Sequence, residues 1–484
     1  MAGRIAGLTR RGFLLASGAA LAGGAAAYVQ PLLNTRQFGG LVSKLVLPPA
    51  TDADPEPALA RRYPWVWHGE ARRSELQLVN ALQPQALEAV AGGASLGERV
   101  FRAQGGAAVV PWAPMFRRNP AISNATELLR KLCGAKELLV KDEGSDAVLL
   151  YGNKVRKYEF VLPNLAASGV RTVHTHGAYG SNHCAHLALA LRYGGHGGQP
   201  MGLVASLYPQ ALTSDVAHKL HLLLAIGARL EFLESDLQAA LSILERRRLN
   251  DAGPVAAAGY IPPGGSSPLA VFGHLNALLE VDEYMRAGQV PMSAPPDYLY
   301  VALGSGATAM GLVLGCHLLG WPTRVVATPS QDKPALAKLV VNGEIEDPFA
   351  VPHARAELDA ALTWARRLGL PVDARGRVTA ADLMQRHFQV ERDAWLPAYG
   401  VMSPDVKLLR DVAHEHSLTL DATFTAKAFG AIHNAGSEGK LAGARVLFWN
   451  TYQRYELAGL LPAGNGWMSG LPAQLAGNLQ ELAA

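Results

Sequence analysis

The stretch Tyr151–His183 decides the fold, because it sets two helix openings on either side of one short strand. Its first ten residues read YGNKVRKYEF and its last thirteen read RTVHTHGAYGSNH. Lys154 opens the first predicted helix and Ser181 opens the second, while the β-branched Val173 and Thr175 indicate the strand between them. This alternation brings an amine and a hydroxyl to neighbouring helix N-termini above one sheet edge.

The amine of Lys154 is suited to bind an aldehyde. A positive charge is disfavoured beside the positive end of a helix, so the pKa of a lysine placed there is lowered. A lysine of this kind forms Schiff bases with carbonyl compounds. Two simpler interpretations stay open on these residues. Lys154, Arg156 and Lys157 can form a solvated helix face, and Ser181 can serve only as an N-cap.

A second strand–turn–helix unit lies at residues 297–320, which read DYLYVALGSGATAMGLVLGCHLLG. Its turn is formed by Gly304, Ser305, Gly306, Ala307 and Thr308. Such a turn lets backbone N–H groups approach a phosphate at a helix N-terminus, and its hydroxyls add donors. The string also fits the dinucleotide pattern G-x-G-x-x-A, but the acidic residue expected near Thr328 is absent until Asp332. A single phosphate fits at least as well, and a glycine-rich turn without a ligand is the third interpretation.

A lysine nucleophile and a single-phosphate cradle in a chain of strand–helix units suggest pyridoxal phosphate. At these residues the chain resembles the fold type II pyridoxal-phosphate enzymes, the class of the tryptophan synthase β-subunit. Within that class it is most similar to the branch of D-cysteine desulfhydrase and 1-aminocyclopropane-1-carboxylate deaminase. The matching strings are KDEGSDAVLLYGNKVRKYEFVLPNL, GAYGSNHCAHLALAL, IPPGGSSPLAVFGHLNA, VALGSGATAMGLVLG, LPAYGVMSPDVKLL and DATFTAKAFGAI.

The resemblance implies an α/β fold with two doubly wound parallel-sheet domains and the cofactor in the cleft between them. We expect the catalytic region at residues 106–484, with a small domain at roughly 150–270 and a large domain from the flanking parts. Residues 31–105 are expected to form a tether and an N-terminal extension. The string ARAELDAALTWARRLG further predicts an amphipathic helix.

The resemblance also implies which residues hold the cofactor, pyridoxal 5'-phosphate. Lys154 would bind its aldehyde, Asn182 would bind the phenolic oxygen of the ring, and the turn Gly304–Thr308 would hold the phosphate. Thr425 falls where that branch places the partner of the pyridine nitrogen. A hydroxyl does not keep this nitrogen protonated as a carboxylate does, and the weaker electron sink favours β-elimination.

On the substrate side, the resemblance implies catalytic roles for Ser181, on the face of the ring, and for Tyr399, near the substrate. Two departures stand beside these matches. Phe424 replaces a tyrosine of the branch, and Asn450–Arg454 replaces a segment that usually reads H-T-G-G. We expect a lyase or deaminase that performs β-elimination on a small amino acid, without cyclopropane ring-opening. The alternatives are a catalytically silent binding protein and a nicotinamide-dependent oxidoreductase.

The N-terminus reads MAGRIAGLTRRGFLLASGAALAGGAAAYV and resembles a twin-arginine export signal over residues 1–30. Arg10 and Arg11 precede a mildly apolar segment, and Ala25–Ala27 offers a small-residue cleavage site. The resemblance implies the twin-arginine export machinery as a partner and a periplasmic or membrane-tethered location. A plain helix or anchor is the alternative, although the glycine-rich segment is a poor permanent membrane span.

Composition excludes several other classes. The chain is 49% apolar and 17% charged with a net charge of +4, which fits a soluble enzyme of more than one domain. No basic patch carries interleaved aromatic residues, so we expect no nucleic acid. Three cysteines are too few for a disulfide framework, and the histidine spacing predicts no metal site. We expect a homodimer.

Overall fold

A computed structural model describes residues 121–144, 152–193, 201–234, 258–330, 351–391, 400–452 and 466–483, together with Gln238, Ala239, Ser242, Ile243, Arg246, Leu461 and Gly464. The predicted signal and tether, Tyr399 and Arg454 lie outside these residues. Within the described part of the chain, no helix is both long enough and apolar enough to cross a membrane.

The strands of the described residues are β1 (Ile122–Asn124), β2 (Glu137–Asp142), β3 (Thr172–Ala178), β4 (Gly202–Tyr208), β5 (Arg229–Phe232), β6 (Ala258–Ile261), β7 (Tyr298–Leu303), β8 (Arg324–Pro329), β9 (Phe388–Val390) and β10 (Arg445–Asn450). The helices are α1 (Glu127–Leu132), α2 (Asn153–Ala167), α3 (Asn182–Tyr193), α4 (Ser214–Ile226), α5 (Pro268–Arg286), α6 (Ala307–Leu319), α7 (Val351–Arg367), α8 (Ala380–His387), α9 (Pro404–Glu415), α10 (Thr425–Ser437) and α11 (Ala473–Ala483).

The strands form two open sheets. One has the order β1-β2-β10-β7-β8-β9, in which only β1 runs antiparallel to its neighbour, and the other has the order β5-β4-β3-β6 with every pair parallel. Helices connect successive parallel strands, because a parallel pair needs a crossover. The predicted α/β class with parallel sheets is confirmed.

The larger sheet is buried on both faces, as its strand β10 shows. Val446 and Phe448 pack into one core with α10, whereas Leu447 and Trp449 pack into the other. Successive side chains of a strand point to opposite faces, so an unbroken apolar run is what a sheet covered by helices on both sides requires. The predicted amphipathic helix is also confirmed as α7, which packs against α5 and α6.

Glycines bring α2, α5 and α6 into backbone contact. A Cβ atom on Gly273 of α5 would lie 2.3 Å from the carbonyl oxygen of Arg156 in α2. A Cβ atom on Gly311 of α6 would lie 2.4 Å from the carbonyl oxygen of Val271 in α5. Real Cβ atoms do not approach backbone this closely, so only glycine permits this spacing of the three helices.

Candidate active site

The loops of the site follow three neighbouring strands of the larger sheet. In the order β2-β10-β7, the chain leaves β2 toward Lys154, leaves β10 into Thr451 and Tyr452, and leaves β7 into the turn Gly304–Thr308. Parallel strands end at the same sheet edge, and ligands of open α/β sheets bind beyond that edge. The topology therefore gathers the predicted lysine and the predicted phosphate turn on the two sides of β10.

Lys154 lies in the first turn of α2 and is half-buried. Removal of its side chain from water lowers the pKa of Lys154 to about 8, and the carboxylate of Asp421 opposes this shift. The charge of Lys154 in turn lowers the pKa of His183 and His186 in α3, after the larger effect of their own burial. Lys154 thus lies within electrostatic reach of both α3 and the turn that precedes α10.

Arg156 and Lys157 do not form a solvated helix face, and that interpretation is wrong for both, because each is only 1% exposed. Arg156 donates from Nε to Glu143 at 2.7 Å and from Nη1 to Glu280 of α5 at 3.0 Å. Buried charges of opposite sign hold each other strongly once both have left water, so this pair of contacts fixes α2 against α5.

Lys157 points from α2 to the phosphate turn. Its Nζ donates to the carbonyl oxygen of Gly264 at 3.1 Å and lies 3.5 Å from the hydroxyl oxygen of Ser305. Burial, followed by the charge of Lys154, lowers the pKa of Lys157 well below its usual range. Sequence reasoning did not predict that Lys157 lies at the turn. An anion held there would raise the pKa of Lys157 again, because its negative charge stabilises the protonated amine.

The turn itself carries unused donors. The backbone N–H groups of Ser305, Gly306 and Thr308 make no hydrogen bond to any described residue. Gly306 adopts φ +101° just before α6, a conformation that side-chain-bearing residues rarely adopt, and it provides no side-chain cap. The helix N-terminus therefore presents free N–H groups to an anion.

Residues beside the turn hold it in shape. Asn153 donates from Nδ2 to the Thr308 hydroxyl at 3.2 Å, which ties the start of α2 to the start of α6. Ser266 accepts from the N–H of Ala307 at 3.3 Å and donates to the buried Glu357 at 2.8 Å. A phosphate group fits this arrangement, since it meets backbone donors, hydroxyls and the amine of Lys157.

Ser181 and Asn182 lie at the start of α3. The Ser181 hydroxyl accepts from the N–H of Cys184 at 3.3 Å, so it does serve as the N-cap. As the N-cap this hydroxyl is an acceptor, and its hydrogen can be donated; the Cys184 thiol is one partner within its reach. Gly177 makes the position possible, because a Cβ atom there would lie 2.6 Å from the Ser181 hydroxyl. Asn182 is partly exposed.

His183 forms a buried wall beside this helix start. The Thr175 hydroxyl donates to the carbonyl oxygen of Ile261 at 2.7 Å, so it accepts from Nε2 of His183, also at 2.7 Å. Nδ1 of His183 then accepts from the Tyr158 hydroxyl at 2.7 Å. Both ring nitrogens are used, and burial lowers the pKa of His183 well below its usual range. This imidazole stays neutral.

Thr425 is fully buried and is held by Asp421. Its hydroxyl donates to Oδ1 of Asp421 at 2.7 Å and accepts from the N–H of the same residue at 2.8 Å. The hydroxyl hydrogen is therefore already used, and only an acceptor lone pair remains. Such a partner suits a protonated ring nitrogen better than a neutral one. The geometry therefore does not support the weaker electron sink expected at Thr425.

The substrate side differs from the expected pattern in a specific way. The ring of Phe424 covers the phosphate turn, since a Cβ atom on Gly304 would lie 3.2 Å from Cε1 of Phe424. Asn450 is buried and donates from Nδ2 to Asp142 at 3.2 Å, while its Oδ1 accepts from the N–H of Tyr452 at 3.3 Å. The turn after β10 is thus fixed by side-chain hydrogen bonds.

Pyridoxal-phosphate enzymes are the proteins that this chain matches. The family model described as "Pyridoxal-phosphate dependent enzyme" covers residues 121–451. The chain belongs to this family. Its described part holds Lys154 and the phosphate turn inside the matched region, and its cofactor is pyridoxal phosphate, as predicted.

Similar members of the family carry two activities in their names. The mitochondrial bifunctional D-cysteine desulfhydrase/1-aminocyclopropane-1-carboxylate deaminase of Arabidopsis thaliana is 26% identical over 354 residues, which cover 70% of this chain and 75% of that protein. The D-cysteine desulfhydrase of Serratia proteamaculans is 28% identical over 272 residues, covering 53% and 78%. The crystal structure of an ACC deaminase homologue aligns with TM-score 0.53 and 22% identity over 75% of this chain and 96% of that one.

These comparisons confirm the predicted fold type and favour the pyridoxal-phosphate lyase or deaminase over the two alternatives. The structural similarity supports the fold alone, because its identity is low. The roles of individual residues stay predictions. The structure describes the positions of Lys154, Ser181, Asn182, Thr425 and the turn Gly304–Thr308. Tyr399 lies outside the described residues.

Proposed function

We propose that this protein is a pyridoxal-phosphate-dependent lyase that performs β-elimination on a small amino acid, with D-cysteine as the reference substrate. One observation carries the proposal: α2 presents an amine of lowered pKa, Lys154, one turn before Lys157, which reaches a turn of free backbone donors. An aldehyde-binding amine and an anion cradle on one helix suit a cofactor that carries both groups.

Pyridoxal phosphate, when bound, would supply an aldehyde for amines and an electron sink for negative charge at the substrate Cα atom. The protein supplies the remaining steps. Lys154 Nζ, whose pKa is lowered to about 8, accepts the proton from Cα in its neutral form. The Ser181 hydroxyl, fixed as the N-cap of α3, keeps a hydrogen that it can donate beside the ring. Lys157 and the turn Gly304–Thr308 hold the phosphate and set the position of the ring.

The chemistry of the leaving group supports elimination over ring-opening. A thiolate departs with little help from an acid, so elimination from cysteine needs few proton-transfer groups. Cyclopropane ring-opening needs more of them, and Phe424 offers no hydroxyl where the resembled branch has one. The amino-acid substrate should therefore carry a good leaving group on Cβ.

Two measurements test the proposal. The purified protein should show the visible absorbance of a lysine-bound pyridoxal imine, which borohydride reduces and abolishes. It should then release sulfide and ammonia from D-cysteine or L-cysteine in a coupled assay. An imine band without turnover of any amino acid would point to the silent binding protein. Tighter binding of NADH than of pyridoxal phosphate would point to the oxidoreductase.

We further propose export through the twin-arginine route and assembly as a homodimer. The pair Arg10–Arg11 ahead of a mildly apolar segment supports the route, which carries folded proteins and so suits a cofactor bound before export. Changing both arginines to lysine should leave the protein in the cytoplasmic fraction, whereas the unchanged protein should reach the periplasmic or membrane fraction. Light scattering of the purified protein tests the dimer.

A further inference from the structure

Tyr452 occupies a central place at the edge of the larger sheet. It follows β10, which pairs with β2 on one side and with β7 on the other. The loop after β2 leads to Lys154, and the loop after β7 is the phosphate turn. The hydrogen bonds of Asn450 to Asp142 and to the backbone of Thr419 fix the chain just before Tyr452.

The side chain of Tyr452 lies within electrostatic reach of elements from both sheets. It is half-buried, and the carboxylates of Asp215 in α4 and Asp421 before α10 raise its pKa, after the larger effect of burial, whereas Arg410 opposes them. α4 belongs with the four-stranded sheet, since it connects β4 to β5, while Asp421 precedes α10 on the six-stranded sheet. Tyr452 therefore lies where elements of the two sheets come together, at the sheet edge that also carries the other site residues.

The hydroxyl of Tyr452 makes no hydrogen bond to any described residue, whereas its backbone N–H donates to Asn450. The two carboxylates nearby are already committed. Asp421 accepts from the N–H groups of Thr423 and Phe424 and from Thr425, and Asp215 is paired with Lys219 of the same helix. A hydroxyl that faces a ligand cleft with its hydrogen unused is free to contact a ligand.

We propose that Tyr452 contacts the substituent on Cβ of the substrate and donates a hydrogen bond to it. This inference rests on the proposed function, and it deepens that function by assigning a residue that determines substrate preference. Tyr452 supplies a hydroxyl on the substrate side, where Phe424 lacks one.

The charges around Tyr452 select which part of the substrate it contacts. Asp215 and Asp421 place negative charge near the phenol, so a substrate carboxylate would be repelled there. The start of α3, with its positive helix end, is the better place for that carboxylate. A neutral thiol or hydroxyl on Cβ meets no such repulsion at Tyr452. The preferred substrates are therefore small amino acids with an uncharged polar group on Cβ.

Serine and alanine test this assignment, because they differ only in the hydroxyl on Cβ. Dissociation constants of both amino acids, in the enantiomer that the protein binds, are measured from the change in cofactor absorbance on titration. The variant Tyr452→Phe removes only the phenolic oxygen. Tyr298→Phe is the matched control, since Tyr298 begins β7 at the opposite end of the sheet.

In Tyr452→Phe we expect the preference for serine over alanine to fall about fivefold, as the loss of one net hydrogen bond requires. The dissociation constants of alanine and of the cofactor should stay unchanged, and Tyr298→Phe should match the unchanged protein. An unaltered serine preference in a Tyr452→Phe protein that forms the imine band overturns this inference alone. So does an equal weakening of both amino acids. Absence of the band from the unchanged protein overturns the proposed function and this assignment with it.

Discussion

The two ends of the candidate site differ in how closely they follow the resembled branch. At the phosphate end, Lys157, Thr308 and Gly306 form a set of donors in which each group suits the cofactor. At the substrate end, Phe424 has replaced a tyrosine and Tyr452 stands where the branch has glycine. The phosphate end keeps the expected residues, whereas at the substrate end a hydroxyl follows β10 and the N-cap residue of α10 carries none.

This difference indicates which part of the activity is shared and which part belongs to this chain. A cofactor of fixed shape needs the same contacts whatever the substrate, whereas the leaving group differs from one substrate to the next. Variants at the phosphate end should therefore affect every substrate alike, and variants at the substrate end should affect substrates unequally. The following predictions break or sharpen that contrast, from the largest effect to the smallest.

Lys154→Ala should abolish both the imine band and all turnover, because it removes the amine that the proposal assigns to the aldehyde. Absorbance before and after borohydride treatment measures the band, and circular dichroism checks the fold. The matched control is Lys131→Ala, since Lys131 is an exposed lysine of α1. A borohydride-sensitive band that survives in Lys154→Ala would assign the imine to another lysine, with Lys157 as the next candidate.

Gly306→Val should weaken cofactor binding about a hundredfold, because the positive φ of Gly306 strains any side chain and its Cβ atom would crowd the anion. Equilibrium titration of the apoprotein with pyridoxal phosphate measures this. Gly288→Val is the control, since Gly288 also has positive φ, but a Cβ atom there meets nothing within 4 Å. Equal losses in both variants would mean that strain alone, and not phosphate contact, explains the effect.

Lys157→Met should weaken binding of pyridoxal phosphate about tenfold, since it removes one charge-assisted hydrogen bond but keeps the length of the side chain. Pyridoxal, which lacks the phosphate, should bind equally to Lys157→Met and to the unchanged protein. The same titration with both ligands makes the comparison. If pyridoxal binding weakens as much as that of the phosphate, Lys157 has a structural role and not a phosphate contact.

The pH dependence of cofactor loading should reveal the pKa of Lys154. Only the neutral amine attacks the aldehyde, so the loading rate of the apoprotein should rise with pH and reach half its maximum at about pH 8. The Asp421 carboxylate raises this pKa, so Asp421→Asn should move the midpoint to lower pH. Stopped-flow absorbance measures the rate, with the exposed Asp405→Asn as control. A shift to higher pH in Asp421→Asn would contradict this electrostatic account.

Phe424→Tyr should change cofactor affinity less than about twofold, because it adds one oxygen at the ring edge and removes no donor. The unchanged protein should release no ammonia from 1-aminocyclopropane-1-carboxylate, whereas it releases sulfide from cysteine. An ammonia assay with both substrates measures this contrast. Ring-opening by the unchanged protein at a rate like that of elimination would show that the missing hydroxyl of Phe424 costs nothing.

The sequence was sufficient for the parts of the site that lie close together along the chain. The starts of α2, α3 and α6 were predicted from a lysine, a serine and a glycine turn, and the structure has helices at all three places. Each of these signals is local, since caps and turns depend on a few successive residues. The parallel sheets followed from the same alternation.

The parts that sequence reasoning missed depend on residues far apart along the chain. Lys157 meets Ser305 across 148 positions, and no periodic pattern reports such a contact. The sequence showed Tyr452 only as a departure from the resembled branch, because Asp215 in α4 and Asp421 before α10 are far from it along the chain. The hydrogen bond between Thr425 and Asp421 could have been predicted, since a carboxylate four residues before a threonine is a common cap at a helix start.

The glycine contacts at positions 273 and 311 have a consequence for how the site can change. They join α2 and α6 through α5, so Lys154 and the backbone donors of the turn Gly304–Thr308 are held at a fixed spacing. This spacing sets the length of the cofactor that the site can hold. A larger residue at Gly273 or Gly311 would increase the spacing without contacting any ligand. The site can therefore adopt new substrates through the loop after β10, while residues buried between the helices keep its length constant.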